Sequence, residues 1–585
     1  MPQDNHLVPP PNAPTVPSIW HHYRAFIASD IDTSVVSEPS LTPVDRQGLK
    51  TITLHYSAQS RSQYHQAQIR AKIDFFKQQI KQVSASCIVI EAEKCVDSLC
   101  LIYACFEAGI CYVPINAAMP AAHKHHIYQQ FANSFVAKCS TVQPFTLEHI
   151  ATESSKRIDA QYVIYTSGTT GKPKGVMVTK SAIMTLCHHL YSILGASCAQ
   201  HVFSYAELHF DMSVADVFMP YLYGGNIYFC EKTTKSSPTA LAHILHHIQP
   251  SMLQLTPSAL SLFSQDEREQ LTTQNLLLGG ESVPDKYTPP HLKNVQCLWN
   301  FYGPTEATVW CAYKRISDDF GADIHMAIPG YTVLLLNDGQ LCRPGEVGEI
   351  CIAGNLSQGY TEDALTQKAF VYHEFAELSG TFYHTGDNGQ LQPCGGIKIV
   401  GRRDTQIKFN GHRIELIAIE SAVEQIHWVD EVLVHFDQSN HQLIALVKRR
   451  DHHYGYRHFI EALKTRLPSS HRPSNVIFVN EIPRNTNDKK QRSAEKMAAI
   501  LAAIAQPDLS SSRLNQQQKT LLDLFRHYIS VHRDQLHNTY FFTHGGDSLK
   551  GISFLQDAER FGCCISSDDL VNCSVGQIIN SLDKG

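Results

Sequence analysis

The sequence lacks the features of a membrane-spanning or secreted protein. Its 585 residues contain no run of about 18 apolar residues, the length that a helix needs to cross a bilayer. The first residues, MPQDNHLVPPPNAPTVP, lack the basic segment followed by an apolar one that marks a secretion signal. We therefore expect no membrane span and a cytoplasmic location.

Paired cysteines and metal-ligand spacings are missing as well. The 17 cysteines are odd in number and no two stand in a C-x-x-C spacing, which predicts reduced thiols rather than a disulfide framework. The 32 histidines include doublets such as His188-His189 and His246-His247, but neither an HExxH motif nor a cysteine partner accompanies them. Ligand spacing along the chain therefore predicts no structural zinc site.

The sequence has little net charge. It carries 49 Lys and Arg against 55 Asp and Glu, a formal net charge of −6. This balance gives no global basic field, so we expect neither nucleic acid nor an anionic membrane as a partner. With 43% hydrophobic and 18% charged residues, the composition is that of a folded globular protein, and the length is sufficient for several domains.

The hydrophobic pattern predicts an α/β fold. Short β-rich runs such as 87–91 and 226–230 alternate with amphipathic stretches of helical length such as 237–247, which favours mostly parallel strands. From about residue 327 closer-spaced strands predict a β-rich lobe. The predicted order is a flexible Pro-rich tail (1–16), a large multi-layer N-terminal subdomain (17–403), a small mobile α+β subdomain (404–505), a linker (506–512) and a C-terminal helical bundle (513–585).

A loop rich in glycine and hydroxyl residues follows one of the strand-like runs and reads TSGTTGKPKG from Thr166 to Gly175. Glycines let backbone N–H groups approach an anion closely, hydroxyls donate further hydrogen bonds, and lysines add positive charge, so the loop predicts phosphate binding. It is not a Walker A loop, because only two residues separate Gly168 from Gly171 and Lys172 is followed by proline.

This loop resembles the phosphate loop of the adenylate-forming enzymes, which include acyl-CoA synthetases, luciferases and the adenylation domains of nonribosomal peptide synthetases. Further stretches resemble the adenylation-domain core motifs in family order: FDMS at 210–213, NFYGPTE at 300–306, GEVGE at 345–349, YHTGD at 383–387, GRRDTQIK at 401–408 and NDKKQR at 487–492. The resemblance covers roughly residues 85–495 and implies an adenylation domain with a large N-terminal and a small C-terminal subdomain.

The resemblance implies an ATP and Mg²⁺ site. Glu306 would bind Mg²⁺ and act in catalysis together with Lys408 and Lys489, the last bridging the substrate carboxylate and the α-phosphate. The common Asn-Gly-Lys reads Asn-Asp-Lys here, and Lys490 stands beside the matched lysine. Asp404 would be the hinge of the small subdomain. The implied ATP-binding residues are Thr166, Ser167, Gly168, Thr169, Thr170, Gly171, Lys174, Tyr302 against the adenine, Thr305, Asp387 at the ribose hydroxyls, and Arg402.

The resemblance also implies an amino-acid substrate. Asp211 matches the residue that pairs with the substrate α-ammonium, although an aspartate there could instead cap the following helix. Large aromatic residues leave little volume beyond the substrate Cα, so glycine is the leading substrate, with alanine or another small amino acid next. The implied pocket comprises Phe210, Asp211, Met212, Ala215, Gln254, Leu277, Gly279, Phe301, Val309 and Trp310.

The C-terminal segment GGDSLK, at 545–550, resembles the attachment motif of a peptidyl carrier domain. Ser548 would then carry 4′-phosphopantetheine added by a phosphopantetheinyl transferase, although an isolated Asp-Ser-Leu could simply be a helix N-cap. We find neither an HHxxxDG condensation motif nor a GxSxG thioesterase motif, so we expect condensation, tailoring or release by an enzyme on another chain.

Two other functions remain open from the sequence. One is an acyl- or aryl-CoA ligase, which Asp211 and the attached carrier segment oppose. The other is a degenerate carrier or scaffold that activates nothing, which the presence of Glu306, Asp387 and Lys489 opposes.

Overall fold

The computed structural model describes residues 48–483 apart from short gaps, and parts of the C-terminal segment. The gaps are 56, 58–59, 140–144, 153, 155, 157, 167–172, 236, 282, 284–286, 288–291, 317–325, 376–377, 393–395, 403–405, 410–411, 438–441, 452–453, 455 and 480. Beyond 483 it describes 515–529, 541 and most of 554–581. The predicted site residues outside the described part are Ser167, Gly168, Thr169, Thr170, Gly171, Asp404, Lys489, Ser548 and the side chain of Lys408.

Strands and helices alternate through most of the described chain. The strands are β1 Thr51–His55, β2 Arg61–His65, β3 Cys87–Ala92, β4 Cys111–Ile115, β5 Ser134–Cys139, β6 Thr146–His149, β7 Tyr162–Thr166, β8 Lys174–Val178, β9 His201–Phe203, β10 Asn226–Cys230, β11 Met252–Leu255, β12 Thr273–Gly279, β13 Val295–Tyr302, β14 Ala312–Ile316, β15 Met326–Ala327, β16 Tyr331–Asn337, β17 Gln340–Leu341, β18 Val347–Gly354, β19 Phe370–Glu374, β20 Ser379–Leu391, β21 Ile397–Arg402, β22 Gln406–Phe409, β23 His412–Glu415, β24 Val429–Asp437, β25 Gln442–Arg449 and β26 Asn475–Val479. The helices are α1 Gln66–Val83, α2 Val96–Ala108, α3 Ala121–Tyr128, α4 Lys180–Leu194, α5 Met212–Tyr223, α6 Lys232–Lys235, α7 Pro238–Ile248, α8 Pro257–Ser261, α9 Gln265–Gln270, α10 Asp363–Ala369, α11 Leu416–Glu424, α12 Tyr456–Lys464, α13 Gln516–Tyr528 and α14 Val575–Ser581.

Two compact units divide the chain. The first takes in the described parts of Met1–Ala117, Tyr128–Tyr165 and Lys174–Asp404, and the second those of Ala118–Ile127, Thr166–Pro173 and Thr405–Gly585. The boundary after Asp404 lies one residue from the predicted start of the small subdomain at 404.

Two sheets with mostly parallel strands form the α/β part of the first unit. One has the strand order β15-β14-β13-β12-β11-β9-β10-β1-β2, the other β6-β5-β3-β4-β7-β8. Described helices lie between β9 and β10, between β10 and β11 and between β11 and β12, and three of them begin with a capping side chain. Ser237, for example, accepts a hydrogen bond from the backbone N–H of Ala240 and precedes proline at the start of α7. The predicted α/β architecture is confirmed.

A third sheet of the first unit is antiparallel and has the order β17-β16-β18-β20-β19, with β21 paired to β20. Buried residues alternate with partly exposed ones along the long strand β20, as expected for a sheet with one face in a core. This sheet is the predicted β-rich lobe, and its strands supply several of the residues at the candidate site.

The second unit contains a mixed three-stranded sheet, β24-β25-β26, against which α11 packs, and the hairpin β22-β23. Farther along, α13 and α14 contribute to a separate apolar cluster around Phe525, Phe541 and Phe554. The side-chain amide of Gln518 also donates to the backbone carbonyl of Ile579, which ties the two helices together. Among the described helices, none is both long enough and apolar enough to cross a membrane.

Candidate active site

Asp387 lies at the centre of a buried hydrogen-bond group. The Tyr302 hydroxyl donates to its Oδ2 over 2.7 Å, and Nη1 of Arg402 donates to its Oδ1 over 2.6 Å. The Asp387 residue is only 4% exposed. Burial, followed by the charge of Asp387, holds the pKa of Tyr302 well above its usual range, so the phenol stays protonated as a donor. Three predicted ATP-binding residues therefore meet at one point.

The backbone around Asp387 fixes the carboxylate in place. The hydroxyl of Thr385 donates to the Ile350 carbonyl of the neighbouring strand and accepts from the Asp387 N–H. Between them Gly386 has φ of +73°, a left-handed conformation that favours glycine, and its N–H donates to Glu349. Hydrogen bonds to β18 and within β20 thus fix the backbone at Asp387.

Glu306 is fully buried in a short 3₁₀ turn after Pro304. Its Oε1 accepts a 2.5 Å hydrogen bond from the hydroxyl of Tyr360. The ammonium of Lys174, at the start of β8, lies 5.6 Å from the centre of the Tyr360 ring. Tyr360 therefore connects a predicted metal ligand with a predicted phosphate-binding lysine, and charge over an aromatic face is attractive.

The predicted phosphate loop begins where β7 ends. Thr166 is the last residue of that strand, and the loop up to Lys172 lies outside the described residues. Gly175 follows in β8, where an added Cβ would come within 2.9 Å of the side chains of Val163, Thr361 and Tyr165. Packing therefore leaves no room at this position for a residue larger than glycine. Thr305 lies in the turn that carries Glu306.

Trp310 is one of the residues predicted to line the substrate pocket. Its side chain packs so tightly on Gly279 that an added Cβ there would lie 2.5 Å from the indole and 2.6 Å from the Phe301 carbonyl. Val309 before it has φ of +75°, a strained conformation for a β-branched residue. At Gly303 an added Cβ would lie 2.3 Å from the Val309 carbonyl, so the chain approaches itself closely here. The strained turn thus directs Trp310 against Gly279.

Gln254 is fully buried and is hydrogen-bonded to the side chain of Trp310. The indole Nε1–H of Trp310 donates to Oε1 of Gln254 over 3.0 Å. The amide nitrogen of Gln254 donates to Oδ1 of Asp216 over 2.5 Å and to the Met212 carbonyl over 3.1 Å. Every polar atom of this amide is therefore used within the protein, and Gln254 acts by holding the indole.

Asp216 belongs to a buried charged group next to the pocket. Burial raises the pKa of its carboxyl to about 7, although the hydrogen bond from Gln254 and the charge of Lys94 act against this. Burial lowers the pKa of Lys94 to about 8, and its ammonium donates to Ser204. Burial would raise the pKa of Glu207, but Lys94 and Lys235 outweigh it and bring the value to about 2.

Asp211 takes the N-cap position of α5, yet its side chain makes no capping hydrogen bond. Its presence there is therefore not explained by helix capping, which was the alternative interpretation from the sequence. The other predicted pocket residues are on the adjoining elements: Phe210 half-buried before α5, and Met212, Ala215, Leu277, Phe301 and Val309 buried.

Known proteins are similar to this chain in sequence. The family described as AMP-binding enzyme matches residues 75–361. Delta-poly-L-ornithine synthetase of Acinetobacter baumannii is 31% identical over 408 residues, which are 66% of this chain and 30% of that protein. The chain contains a nonribosomal peptide synthetase adenylation domain. The chain spans 20–47% of the length of this relative and of three further curated ones.

Solved structures share the fold of the adenylation domain. Holo-PA1221, an NRPS protein containing adenylation and PCP domains, is similar over 92% of this chain and 94% of its own, with a TM-score of 0.69 and 22% identity. The Vibrio cholerae adenylation domain AlmE, in complex with glycyl-adenosine-5′-phosphate, covers 78% of this chain and 95% of its own, with a TM-score of 0.65 and 19% identity. The likeness to holo-PA1221 supports the predicted carrier fold.

Sequence reasoning missed several residues of this site in the adenylation domain. Tyr360 contacts Glu306 and Asp216 contacts Gln254, whereas Lys94 acts on Asp216 through its charge. All three residues lie outside the motif stretches. Their only sequence signals are a polar residue in an otherwise apolar helix for Asp216 and a lysine before an apolar helix for Lys94. Tyr360 gives no signal, since tyrosine is ordinary in such surroundings.

Proposed function

We propose that this chain activates a small amino acid, glycine first, as an aminoacyl-AMP. It then transfers the aminoacyl group as a thioester to a phosphopantetheine arm on its own Ser548, for the synthesis of a nonribosomal peptide or a related natural product. The observation that supports the substrate assignment is the contact between the Trp310 indole and Gly279. If these residues line the pocket, as the resemblance implies, this contact would fill the space into which a substrate side chain extends.

Several described residues fit ATP with Mg²⁺. Asp387 is an acceptor suited to the two hydroxyls of a ribose, and Arg402 and Tyr302 hold it. Buried Glu306 supplies the carboxylate oxygens that a hard cation prefers. When bound, Mg²⁺ neutralises phosphate charge. Tyr360 orients Glu306, and Lys174 adds a positive charge near the same place.

Asp211, which by the resemblance matches the residue that pairs with the substrate α-ammonium, would accept that ammonium group. Lys489, carried over by resemblance, would neutralise charge as the substrate carboxylate attacks the α-phosphate and pyrophosphate leaves. Lys408 would act after the small subdomain turns about Asp404. Because excluding one methyl group by packing discriminates by about 1–3 kcal/mol, alanine is the next substrate in order.

The ligand of the AlmE complex, glycyl-adenosine-5′-phosphate, is the product that glycine activation would give. For this chain, the fold likeness alone leaves the amino acid open, and the pocket residues Trp310 and Gly279 favour glycine. A phosphopantetheinyl transferase would modify Ser548, and a condensation, tailoring or release enzyme on another chain would consume the thioester.

An acyl- or aryl-CoA ligase is the second candidate, because adenylate formation is common to both classes. The two functions differ at Asp211, which has no role for a substrate without an ammonium group. Pyrophosphate exchange over a panel of amino, fatty and aryl acids separates them. A carrier or scaffold that activates nothing would give no exchange with any acid in the panel.

The deciding experiment uses the full chain after phosphopantetheinylation, with ATP, Mg²⁺ and an equimolar mixture of amino acids. Intact mass spectrometry should detect a glycyl group on the arm at Ser548, and the Ser548→Ala variant should gain nothing. Loading of a fatty or aryl acid, or no loading of any small amino acid on fully modified protein, would refute the proposal.

A further inference from the structure

Three metal-ligating side chains that are not among those assigned to ATP and Mg²⁺ meet on the antiparallel sheet. Glu349 and Cys351 lie on β18, and His384 lies on β20. One ligand atom from each, a carboxylate oxygen, the sulfur and a ring nitrogen, lies within 4.8 Å of the other two. We propose that these side chains bind one divalent transition-metal ion of the zinc class.

The strand pairing creates this cluster. Cys351 and His384 are directly opposite each other in the antiparallel register, and a β-bulge between Glu349 and Cys351 shifts the register on one side. Bulges re-aim side chains and are common beside functional sites. Because the bulge falls at this point, the carboxylate of Glu349 comes to the same ring nitrogen that faces the Cys351 sulfur.

The distances agree with a shared ion. The Cys351 sulfur lies 3.5 Å and the Glu349 Oε2 lies 3.0 Å from Nδ1 of His384. With Zn–S of about 2.3 Å, Zn–N and Zn–O of about 2.0–2.1 Å and tetrahedral angles, the expected separations are about 3.6 Å and about 3.3 Å. The Cys351 sulfur and a Glu349 carboxylate oxygen lie within 4.8 Å of each other, and side-chain rotation would bring them to the expected separation of about 3.6 Å. Water would supply the fourth ligand.

The surroundings orient the ligands in the way that metal sites require. Nε2 of His384 lies 2.8 Å from Nε2 of His373, on β19, and Oε1 of Glu349 accepts from the Gly386 N–H. If His384 donates its Nε2 proton to His373, its Nδ1 presents a lone pair to Glu349 and Cys351. The lone pair of Nδ1 and the negative charge of Glu349 repel each other, and a bound cation would be coordinated by both. Partners of this kind commonly fix the tautomer of a metal-bound histidine.

The donor set selects the class of ion. Thiolate and imidazole favour zinc and related transition metals, whereas Mg²⁺ takes oxygen ligands, so this site differs from the one assigned to Glu306. The side chains of Glu349 and His384 are 14% and 24% exposed, which allows entry from solvent, whereas Cys351 is buried. On binding, the Cys351 thiol loses its proton to solvent and forms the metal–sulfur bond.

The ion would act as a cross-link between β18 and β20. The turn through Thr385 and Gly386 that carries Asp387 follows His384 directly and is also held by Glu349. Occupancy would therefore stiffen the backbone that positions Asp387, without contact between the metal and the reacting atoms. We expect a structural site whose occupancy raises the melting temperature.

The test uses the untagged full chain, treated with a chelator and freed of it, and Co²⁺ as the probe. One equivalent of Co²⁺ should produce a thiolate-to-cobalt charge-transfer band and visible bands of tetrahedral intensity, and Zn²⁺ should abolish both by displacement. Cys351→Ser should remove the charge-transfer band, while Cys297→Ser, which changes a partly exposed cysteine on another sheet, should leave it intact. Stoichiometric binding that persists unchanged in Cys351→Ser, or no stoichiometric binding by the wild type, would overturn the proposal.

A second variant guards against misfolding of Cys351→Ser. Glu349→Gln keeps an oxygen acceptor for the Gly386 N–H and removes only the negative ligand, and we expect at least about tenfold weaker Co²⁺ affinity. His373→Phe, which alters the positioning partner of His384, should weaken binding by about 10–100-fold. Wild-type affinity in both folded variants would also refute the site. Each outcome is read without amino-acid activation, so it is independent of the proposed function.

Discussion

The indole N–H of Trp310 donates to the side-chain carbonyl of Gln254, and the same amide donates to the buried carboxyl group of Asp216. The wall of the candidate substrate pocket is therefore held through three side chains from separate parts of the chain. Loss of one hydrogen bond in this series leaves a buried polar atom without a partner, which lowers the free energy of unfolding. The size of the pocket and the stability of the domain are thus coupled at Trp310.

Replacing this indole by a smaller ring tests the coupling. Trp310→Phe removes the donor to Gln254 and should lower the free energy of unfolding by about 1–3 kcal/mol. It also opens space beside Gly279, so pyrophosphate exchange should extend to larger amino acids than in the wild type. Denaturant unfolding and an exchange panel measure the two effects.

A matched control is available at Trp299, whose indole N–H donates to Oδ1 of Asn275 over 3.0 Å. Trp299→Phe removes an equivalent buried bond and should cost similar stability while leaving the order of amino-acid preference unchanged. If both variants shifted the preference equally, the pocket assignment of Trp310 would be wrong.

The pKa of Asp216 predicts a pH dependence of stability. The folded carboxyl keeps its proton up to about pH 7, whereas the unfolded group, with a pKa of 3.8, loses it earlier. Between these values the folded state binds more protons, so the stability that Asp216 contributes falls as pH rises from about 4 to about 7. Asp216→Asn, which cannot titrate, should lack this part of the slope.

Unfolding of the wild type and Asp216→Asn at several pH values from about 5 to 7 measures this difference. Asp363→Asn is the control, because that carboxylate is exposed and pairs with Lys156 at the surface. Parallel pH profiles for the wild type and Asp216→Asn would contradict the raised pKa. If Asp363→Asn also changed the pH dependence of unfolding, the slope could not be assigned to the buried carboxyl of Asp216.

Replacing Asp387 should raise the KM for ATP more than the KM for the amino acid. Asp387→Asn removes the charge that Arg402 pairs with and one acceptor for the ribose, so the KM for ATP should rise about tenfold or more. Steady-state pyrophosphate exchange at varied ATP measures this. An unchanged KM for ATP, with folding verified by melting, would show that the ribose lies elsewhere.

Lys489 should separate the two half-reactions. Lys489→Ala should reduce pyrophosphate exchange by about 10²-fold or more, because it removes a charge required where the transition state becomes more negative. Thioester formation from chemically prepared adenylate should persist. Lys490→Ala is the adjacent control and should retain exchange. Loss of exchange in the Lys490 variant, and its retention in the Lys489 variant, would reverse the assignment.

The local hydrophobic pattern of the sequence predicted the position of helices and strands. Strand β10 begins and ends at the predicted residues 226 and 230, and α7 is displaced by only one residue from the predicted 237–247. Hydrophobic periodicity and caps act within a few turns, so they are visible in the sequence. The motifs likewise predict that Tyr302, Asp387 and Arg402 belong to one ATP site, and these three residues are hydrogen-bonded to one another through Asp387.

The tertiary structure decided which side chains meet across those elements. Nothing in the spacing of Gln254, Asp216 and Trp310 reveals that they form one hydrogen-bonded chain, because their contact depends on how strands and a helix pack. Likewise, the spacing rules predicted no zinc site, whereas the pairing of β18 with β20 brings Cys351 to His384. Sequence by itself determined the chemistry available and the order of the motifs. Long-range packing determined distances, burial and therefore pKa values, since these depend on neighbours that are remote along the chain.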